Sequence, residues 1–388
     1  MMNVIVVGAG IAGASTAYRL AKLGAEVLVI DRRDVGQATD AAAGIICPWL
    51  SQRRNQAWYR LAKAGARYYP VLIGELEREG ETATGYAQVG ALSIHADSDK
   101  LGQMEERAAS RKADAPEIGT ITRLDELQTR ERFPLLAETY ASVHISGAAR
   151  VDGRELRDAL LRSAQRNGAK FIYGDAKLEH QAGRITGVTV GTTVHTADKV
   201  IVCAGAWAGE LMRPLGLDFQ VRHQKAQIMH LQVADDERKT GSWPVVMPPT
   251  DQYMLAFDQG RIVIGATHEN DAAGYDTRIT PGGMHEILSK GLPLAPALSQ
   301  STLQEIRVGF RPFAADFLPV IGSVPGWEGL LVVNGLGASG LTMGPYIGSQ
   351  LAKLALGHET EIDLADYDPS KAITTTNEGA TDGEPEPN

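Results

Sequence analysis

The sequence predicts an α/β protein in which a doubly wound, Rossmann-like domain of βαβ units carries an interleaved α+β domain built on an antiparallel sheet. Three observations lead to this prediction: a βαβ unit at the N-terminus, further strand and helix patterns late in the chain, and two intervening segments with strand and turn signals. The 388 residues are enough for about two domains of ordinary size.

We expect the two domains to alternate along the chain. The Rossmann-like domain is predicted to comprise residues 1–81, 147–220 and 309–368, and the interleaved domain residues 82–146 and 221–308. In the interleaved domain, strand patterns over residues 253–257 and 261–266 flank a turn at Asp258–Gly260. Residues 369–388 are polar and rich in proline, so we expect them to form a disordered tail.

The first βαβ unit consists of an apolar strand over residues 3–7, a helix over residues 11–23 and a second strand over residues 26–31. A later helix is predicted over residues 152–168, where Asp152 and Glu155 fit a capping box at its start. The remaining elements predicted for this domain are strands over residues 170–173, 199–203 and 330–333 and a helix over residues 342–356.

The turn after the first strand reads Gly8-Ala9-Gly10-Ile11-Ala12-Gly13, a G-x-G-x-x-G motif. The first glycine permits a tight turn, the second lets the backbone approach a pyrophosphate, and the third lets the helix pack on the strand. Asp31, about 20 residues further on, would accept hydrogen bonds from an adenosine ribose. An acid here disfavours NADP, but the motif alone leaves NAD, FAD and a purely structural turn as alternatives.

Composition and charge exclude several classes of function. With 38 Lys and Arg against 47 Asp and Glu, the net charge of −9 gives no basic surface for nucleic acid or an anionic membrane. Residues 329–351 lack charged side chains but contain six glycines and a proline, so we expect no membrane helix there. Cys47 and Cys203 are too few for a disulfide framework, and with scattered histidines we expect no metal site and a cytoplasmic location.

Small residues follow the first unit, in Asp40-Ala41-Ala42-Ala43-Gly44, and they let the backbone pass close to a planar ring. With these motifs the chain resembles the D-amino-acid oxidase family of FAD-dependent oxidoreductases, which includes glycine oxidase, sarcosine oxidase and D-amino-acid dehydrogenases. The resemblance covers about residues 3–368 and rests on the ordered segments VVGAGIAGASTAYRLAKLGAEVLVID, ATDAAAGII, ARVDGRELRDALLRSAQRNGA, KVIVCAGAWAGELMRPLG, GRIVIGATHE, RVGFRPFAADFLPVIG and LLVVNGLGASGLTMGPYIGSQLA.

The resemblance implies dissociable FAD, because the stretch after Gly309-Phe310-Arg311-Pro312 lacks the cysteine that attaches flavin in sarcosine oxidases. It also places a second glycine-rich turn, Gly335 to Gly340, at the pyrimidine edge of the ring, where the N-terminus of the following helix stabilises reduced flavin. The residues implied to contact FAD are Gly8, Gly10, Ile11, Ala12, Gly13, Asp31, Arg32, Ala38, Thr39, Ala43, Gly44, Ile45, Leu336, Gly337, Ala338, Ser339, Gly340, Leu341 and Thr342.

Three residues are implied to bind substrate. Arg311 matches the arginine that holds the substrate carboxylate in the relatives, and its planar fork of donors suits bidentate binding. Tyr253 falls where glycine oxidase has a pocket tyrosine, with ring packing in the sheet as the alternative. His268 falls at a pocket position, although a lone histidine is more often structural. We assign no general acid or base. Alignment of the substrate with the flavin and exclusion of water would supply most of the rate enhancement of hydride transfer.

The activity implied by the resemblance is oxidative deamination of D-amino acids, in which hydride passes from Cα to flavin N5 and the imino acid is hydrolysed to a 2-oxo acid and ammonia. The alternative substrates are glycine, sarcosine or a cyclic secondary amine such as D-proline. Ala338 stands where glycine oxidase has a second arginine, which disfavours glycine itself and favours an N-methylated or cyclic secondary amine. The electron acceptor, O₂ or a quinone or another acceptor, stays open, as does a homo-oligomeric state. An NAD-dependent dehydrogenase and a nucleotide-binding protein without turnover are the rival classes.

Overall fold

The computed structural model describes residues 1–234, 239–270 and 274–375. The helices are α1 (Ile11–Lys22), α2 (Gln56–Arg78), α3 (Ser98–Lys112), α4 (Glu126–Arg132), α5 (Gly153–Arg166), α6 (Ala208–Met212), α7 (Pro281–Gly291) and α8 (Gly340–Ala355). The strands are β1 (Asn3–Val7), β2 (Glu26–Asp31), β3 (Ile45–Ile46), β4 (Ala91–His95), β5 (Ile121–Leu124), β6 (Ala141–Ile145), β7 (Ala149–Arg150), β8 (Lys170–Tyr173), β9 (Ala176–Gln181), β10 (Arg184–Val190), β11 (Thr193–Thr196), β12 (Lys199–Val202), β13 (Leu217–Phe219), β14 (Arg222–Gln232), β15 (Val245–Met247), β16 (Tyr253–Ala256), β17 (Arg261–Gly265), β18 (Thr302–Phe313), β19 (Val320–Ser323), β20 (Leu330–Asn334) and β21 (Ile373–Thr375).

A six-stranded sheet in the order β19-β20-β12-β1-β2-β8 forms the Rossmann-like part. All neighbours pair in parallel except β19, which runs antiparallel to β20. The apolar runs predicted as strands are buried on both faces, as in β1, where Val4 and Val6 are fully buried. Helices α1 and α8 pack against each other at Gly348, where an added Cβ would lie 2.5 Å from Ser15 Cβ. The predicted α/β class with a Rossmann-like domain is confirmed.

An eight-stranded sheet in the order β18-β14-β17-β16-β15-β4-β6-β5 forms the second part. Its neighbours are antiparallel except β15 and β4, which pair in parallel. The two longest strands, β14 and β18, pair along their whole length and set Gln224 opposite Arg311. Strand β18 crosses the predicted domain boundary between residues 308 and 309, and the division into domains stays a prediction.

Two local expectations are corrected by the structure. The capping box expected at α5 forms only by half: the Asp152 side chain accepts from the backbone N–H of Glu155, but the N–H of Asp152 donates to the carbonyl of Thr84 instead of to Glu155. The disordered tail was predicted to begin too early, because β21 pairs antiparallel with β13 and buries Ile373. The rest of that predicted tail, residues 376–388, lies outside the described residues.

Among the described helices, none combines the length and apolar character needed to cross a bilayer. The described residues also contain no group of three or more His, Cys, Asp or Glu side chains placed to hold a metal ion. Cys47 and Cys203 are both free and buried, and burial raises the pKa of each thiol to about 12.

Candidate active site

A cavity of about 790 Å³ lies where the carboxyl ends of β1, β2 and β12 meet the larger sheet. Parallel strands end together at one edge of a sheet, so the turns that follow them converge there. One end of the cavity is lined by these turns, which are predicted to hold the cofactor, and is called the cofactor end. The other end is lined by residues of β14, β16 and β18, among them the predicted substrate residues, and is called the substrate end.

The first glycine-rich turn forms one wall of the cofactor end. Gly8 has a φ of +103°, and a Cβ there would lie 2.4 Å from the carbonyl oxygen of Cys203. A Cβ on Gly13 would lie 1.8 Å from the Gly8 carbonyl oxygen. Helix α1 begins with no side-chain cap from Gly10, and Gly10, Ile11 and Ala12 at its start line the cavity. The N–H of Ile11 donates to Thr39 Oγ1 at 2.9 Å. This wall therefore offers N–H groups and a helix N-terminus to an anion.

The carboxylate of Asp31 lines the same wall and fixes the turn. Its Oδ2 accepts from the N–H of Ala9 at 2.6 Å, and its Oδ1 accepts from the N–H of Arg33 at 2.6 Å and from Gln37 Nε2 at 3.0 Å. Each carboxylate oxygen can accept more than one hydrogen bond, so contact with a ribose would add to these bonds.

The segment of small residues and the second glycine-rich turn close the cavity from the other side. Gly44 has a φ of +95°, and an added Cβ would lie 1.8 Å from the Val151 carbonyl oxygen. Thr342, at the start of α8, donates its hydroxyl to the carbonyl of Ile45 at 3.0 Å and so ties the two walls together. A Cβ on Gly337 would meet the Phe313 ring at 2.3 Å, so glycine is required there.

The substrate end is built from side chains on three strands and the loops beside them. Arg311 on β18 donates from Nη1 to Gln224 Oε1 on β14 at 3.2 Å. Within the described part of the chain, Arg311 forms no ion pair with a carboxylate. Tyr253 on β16 and His268 beyond β17 line the same end. A guanidinium on a cavity wall whose partners are neutral groups can bind an anion.

The polar groups of the substrate end influence one another's ionisation. Burial raises the pKa of Tyr253, and the neighbouring Arg311 opposes this only in part. Burial and then Arg311 lower the pKa of His268, although Asp251, 3.6 Å from its Nδ1, acts in the other direction. At neutral pH this end therefore holds a protonated phenol, a neutral imidazole and a guanidinium cation.

Comparison with known proteins identifies the family. The family model described as DAO, FAD dependent oxidoreductase, matches residues 3–354. The chain belongs to this family. It is 62% identical over 373 residues to the uncharacterized oxidoreductase YurR of Bacillus subtilis, covering 96% of this chain and 100% of that protein. It is 30% identical over 376 residues to the glycine oxidase of Pseudomonas aeruginosa, covering 95% of this chain and 98% of that protein.

Solved structures are similar over nearly the whole chain. Iminodiacetate oxidase from Chelativorans sp. BNC1 is 45% identical, with a TM-score of 0.91, covering 94% of this chain and 98% of that one. Glycine oxidase from Geobacillus kaustophilus is 25% identical, with a TM-score of 0.80, covering 95% and 98%. This protein is thus an FAD-dependent oxidoreductase of the DAO family, and its cofactor is FAD.

The cavity walls of this DAO family member fit FAD. Uncapped N–H groups at the start of α1 suit a pyrophosphate, and the close approaches at Gly8, Gly44 and Gly337 keep side chains off the space that a large planar cofactor needs. The N-terminus of α8 at Gly340 also has no side-chain cap, and its first residues Gly340, Leu341 and Thr342 line the cavity. The residues present can therefore hold the group that the family implies.

The structure brings most of the predicted site residues together. The predicted substrate residues Arg311, Tyr253 and His268 line the cavity. So do the predicted cofactor residues Gly8, Gly10, Ile11, Ala12, Asp31, Arg32, Ala38, Thr39, Ala43, Gly44, Ile45, Leu336, Gly337, Ala338, Gly340, Leu341 and Thr342. Their individual contacts with FAD and substrate stay predictions.

Two predicted cofactor residues are not on the cavity wall. Gly13 packs behind it, against the backbone of Gly8, because its place in the motif serves the contact between helix and strand. Ser339 is buried and its Oγ accepts a hydrogen bond from Trp58 Nε1 at 3.3 Å, which turns the side chain away from the cavity. Both support the turns instead of lining the cavity.

Sequence reasoning missed part of the wall. The turn after β12, from Ala204 to Trp207, lines the cofactor end, and its small residues directly after a buried strand were a usable signal. Asp251 lines the substrate end from a loop whose sequence has no regular pattern, so no signal pointed to it. Cys203 also lines the cavity, whereas Cys47 is buried away from it.

Proposed function

We propose that this protein oxidises the bond between Cα and nitrogen of a small α-amino acid whose carboxylate is held by Arg311. The observation that carries the proposal is the guanidinium of Arg311 on the cavity wall, with a neutral partner in Gln224 and no carboxylate paired with it in the described chain. A guanidinium without a carboxylate partner, at the end of a cavity that holds FAD, suits the carboxylate of a substrate.

The residues of the substrate end would place the substrate and exclude water. Arg311 would fix the carboxylate by paired N–H donors, and the protonated hydroxyl of Tyr253 would donate to the same group. Gln224, itself held by Asn270 at 2.8 Å, limits the rotation of the guanidinium. Bound FAD supplies the acceptor for the hydride that leaves Cα.

The leading substrate class remains the D-amino acids, which the family resemblance implies. They combine the carboxylate required by Arg311 with a primary amine and a side chain that a cavity of about 790 Å³ can accommodate beside the cofactor. Release of a 2-oxo acid and ammonia would follow hydrolysis of the imino acid.

A second class, the N-substituted glycines, is favoured by two observations. The iminodiacetate oxidase that is 45% identical to this chain is named for a secondary amine with two carboxylates. Position 338, on the cavity wall, is an alanine and leaves room for a substituent on nitrogen. Sarcosine, iminodiacetate and D-proline represent this class in a test.

Anaerobic titration of the purified yellow protein distinguishes the two classes. Bleaching of the flavin absorption bands by D-alanine and other D-amino acids, but not by L-isomers, supports the first class. Bleaching by sarcosine or iminodiacetate alone supports the second. Flavin that no amino acid bleaches overturns the proposal. Admitting air afterwards shows by the rate of colour return whether O₂ or a different acceptor, such as a quinone, reoxidises the flavin.

A further inference from the structure

We infer that His268 accepts the proton of the substrate ammonium before oxidation and that Asp251 orients its ring. This inference rests on the proposed function and adds a catalytic residue to it. It starts from the cavity wall, where His268, Asp251 and Arg311 all line the substrate end. A carboxylate beside an imidazole beside a substrate pocket is the arrangement of a general base with its orienting group.

The geometry leaves one ring nitrogen of His268 for the substrate. Nδ1 lies 3.6 Å from Asp251 Oδ2, close enough for the carboxylate to attract the ring once it is protonated. Asp251 is held in turn by Lys290, whose Nζ lies 2.9 Å from Oδ2, and by Gln252 Nε2 at 3.2 Å from Oδ1. Because Asp251 faces Nδ1 and no residue in the described part of the chain hydrogen-bonds Nε2, we assign Nε2 to the substrate amine.

The step is a transfer of one proton. An amino acid in neutral solution carries an ammonium group, whose nitrogen has no free electron pair to stabilise the loss of hydride from Cα. One N–H bond of the ammonium breaks, an Nε2–H bond forms on His268, and the amine nitrogen keeps the electron pair. The imidazolium returns the proton to water when the product leaves, so no additional reactant is consumed.

The other polar groups of this end are poor bases. Arg311 is a permanent cation, and burial keeps Tyr253 protonated by raising its pKa. Burial opposes ionisation of Asp251, but the hydrogen bonds from Lys290 and Gln252 outweigh it and lower the pKa of this carboxyl below its usual range. A carboxylate stabilised in this way binds a proton weakly, which leaves His268 as the acceptor.

Substrate binding would increase the basicity of His268. In the free protein, burial, Arg311 and Lys290 lower the pKa of this imidazole, whereas Asp251 and Glu286 raise it. A substrate carboxylate on Arg311 neutralises the guanidinium, so one of the two main causes of the lowered pKa is lost. The imidazole is therefore neutral when it is free and gains affinity for a proton when the ammonium arrives.

The first test compares pH profiles of anaerobic flavin reduction in the wild type and His268→Gln. At pH 7 the variant should be slowed about 100- to 10,000-fold, the size of a general-base contribution. Its rate should recover at a pH above the pKa of the free amine, where substrate is already deprotonated. His285→Gln, an exposed histidine on α7, is the matched control and should keep the wild-type profile. An unchanged profile in His268→Gln overturns the inference.

The second test reads the imidazole directly, by NMR titration of the wild-type holoenzyme with and without saturating acetate. The resonance absent from His268→Gln, or from His268→Asn if the first variant does not fold, identifies His268. Its pKa should rise when acetate is bound, and this rise should be lost in Arg311→Met. A pKa that acetate leaves unchanged overturns the inference.

The two proposals fail in different ways. If no amino acid reduces the wild-type flavin, the proposed function fails. If the wild type is reduced and His268→Gln shows the same dependence on pH, the proposed function stands and the role of His268 is wrong.

Discussion

The two ends of the cavity are built by different means. At the cofactor end the wall is mostly backbone, held by close approaches such as that of Gly13 to Gly8, where an added Cβ would lie 1.8 Å from a carbonyl oxygen. At the substrate end the wall is mostly side chains, held by hydrogen bonds such as that of Arg311 to Gln224 at 3.2 Å. Backbone cannot be exchanged by mutation, whereas side chains can, so specificity can change at one end while the cofactor is kept.

The largest effect is expected from Gly13→Ala at the cofactor end. The new methyl group would overlap the Gly8 carbonyl and press on Cys203, so helix α1 must move off strand β1. We expect the free energy of unfolding to fall by about 3 kcal/mol and bound flavin to be lost. Urea unfolding and the flavin absorbance of the purified protein measure both.

Gly74→Ala is the control for this substitution. Gly74 lies inside helix α2, and beyond the backbone of its own helix turn no atom lies within 4 Å of the position that a Cβ would take. Alanine should stabilise the helix there by about 0.5–1 kcal/mol and leave the flavin bound. If Gly13→Ala and Gly74→Ala lost the same amount of stability and of bound flavin, close backbone packing would not be what builds the cofactor end.

Arg311→Met should give the opposite phenotype. Loss of the charged fork removes bidentate binding of the substrate carboxylate, so kcat/KM should fall about 100- to 1,000-fold while flavin content and unfolding stay close to wild type. Arg222→Met, an exposed arginine at the start of β14, should change kcat/KM less than about twofold. A colourless Arg311→Met protein would show that the two ends are not separable.

The stability of the sheet that carries the substrate end should depend on pH through His230, which lies on β14. No described residue hydrogen-bonds either of its ring nitrogens, and burial followed by the charge of Arg307 lowers its pKa to about 4. Because its pKa is about 6.5 when unfolded, the unfolded chain binds the extra proton. The free energy of unfolding should therefore decrease as the pH falls from about 6.5 to 4, by on the order of 3 kcal/mol.

Urea unfolding at pH 7 and pH 5 measures this dependence. His230→Leu should remove most of it, whereas the exposed His285→Gln should leave it intact. If both variants keep the wild-type slope, the acid sensitivity belongs to other groups.

The smallest effect is expected from Tyr253→Phe. The substitution removes only a hydroxyl, worth about 1 kcal/mol as a hydrogen bond to the carboxylate, so affinity for acetate or substrate should fall about fivefold. Flavin absorbance changes on titration report the affinity. The control is Tyr140→Phe. The ring of Tyr140 packs against the core of the larger sheet, away from the cavity, so this substitution should leave the affinity unchanged.

The difference between the two ends also explains what the sequence could predict. At the cofactor end, glycine spacing is dictated by backbone geometry, so the turns at Gly8 and Gly337 could be read from residue order. At the substrate end, Arg311 and Tyr253 were found through resemblance alone, because a single polar residue in a strand has no spacing to mark it. Asp251 was missed because its partner His268 is close to it only through the pairing of β16 with β17.

Errors in the fold had the same origin. Strand β21 was predicted as disordered because its surroundings are polar and rich in proline, whereas the edge offered by β13 is distant in sequence and cannot be read locally. The ends of helices and strands, by contrast, were predicted closely where a cap or a glycine marks them, as Gly168 does with its φ of +97° after α5.

Strand β18 touches both ends of the cavity. Its Phe310 donates an N–H to the carbonyl of Gly36 at 2.9 Å, and Arg307 reaches the carbonyl of Asp40 at 3.4 Å, both beside the cofactor wall. Arg311, which follows Phe310 directly in the chain, lines the substrate end. A shift of this one strand therefore alters two binding equilibria together. By thermodynamic reciprocity, whatever factor a bound carboxylate adds to the retention of FAD, bound FAD adds to the retention of the carboxylate.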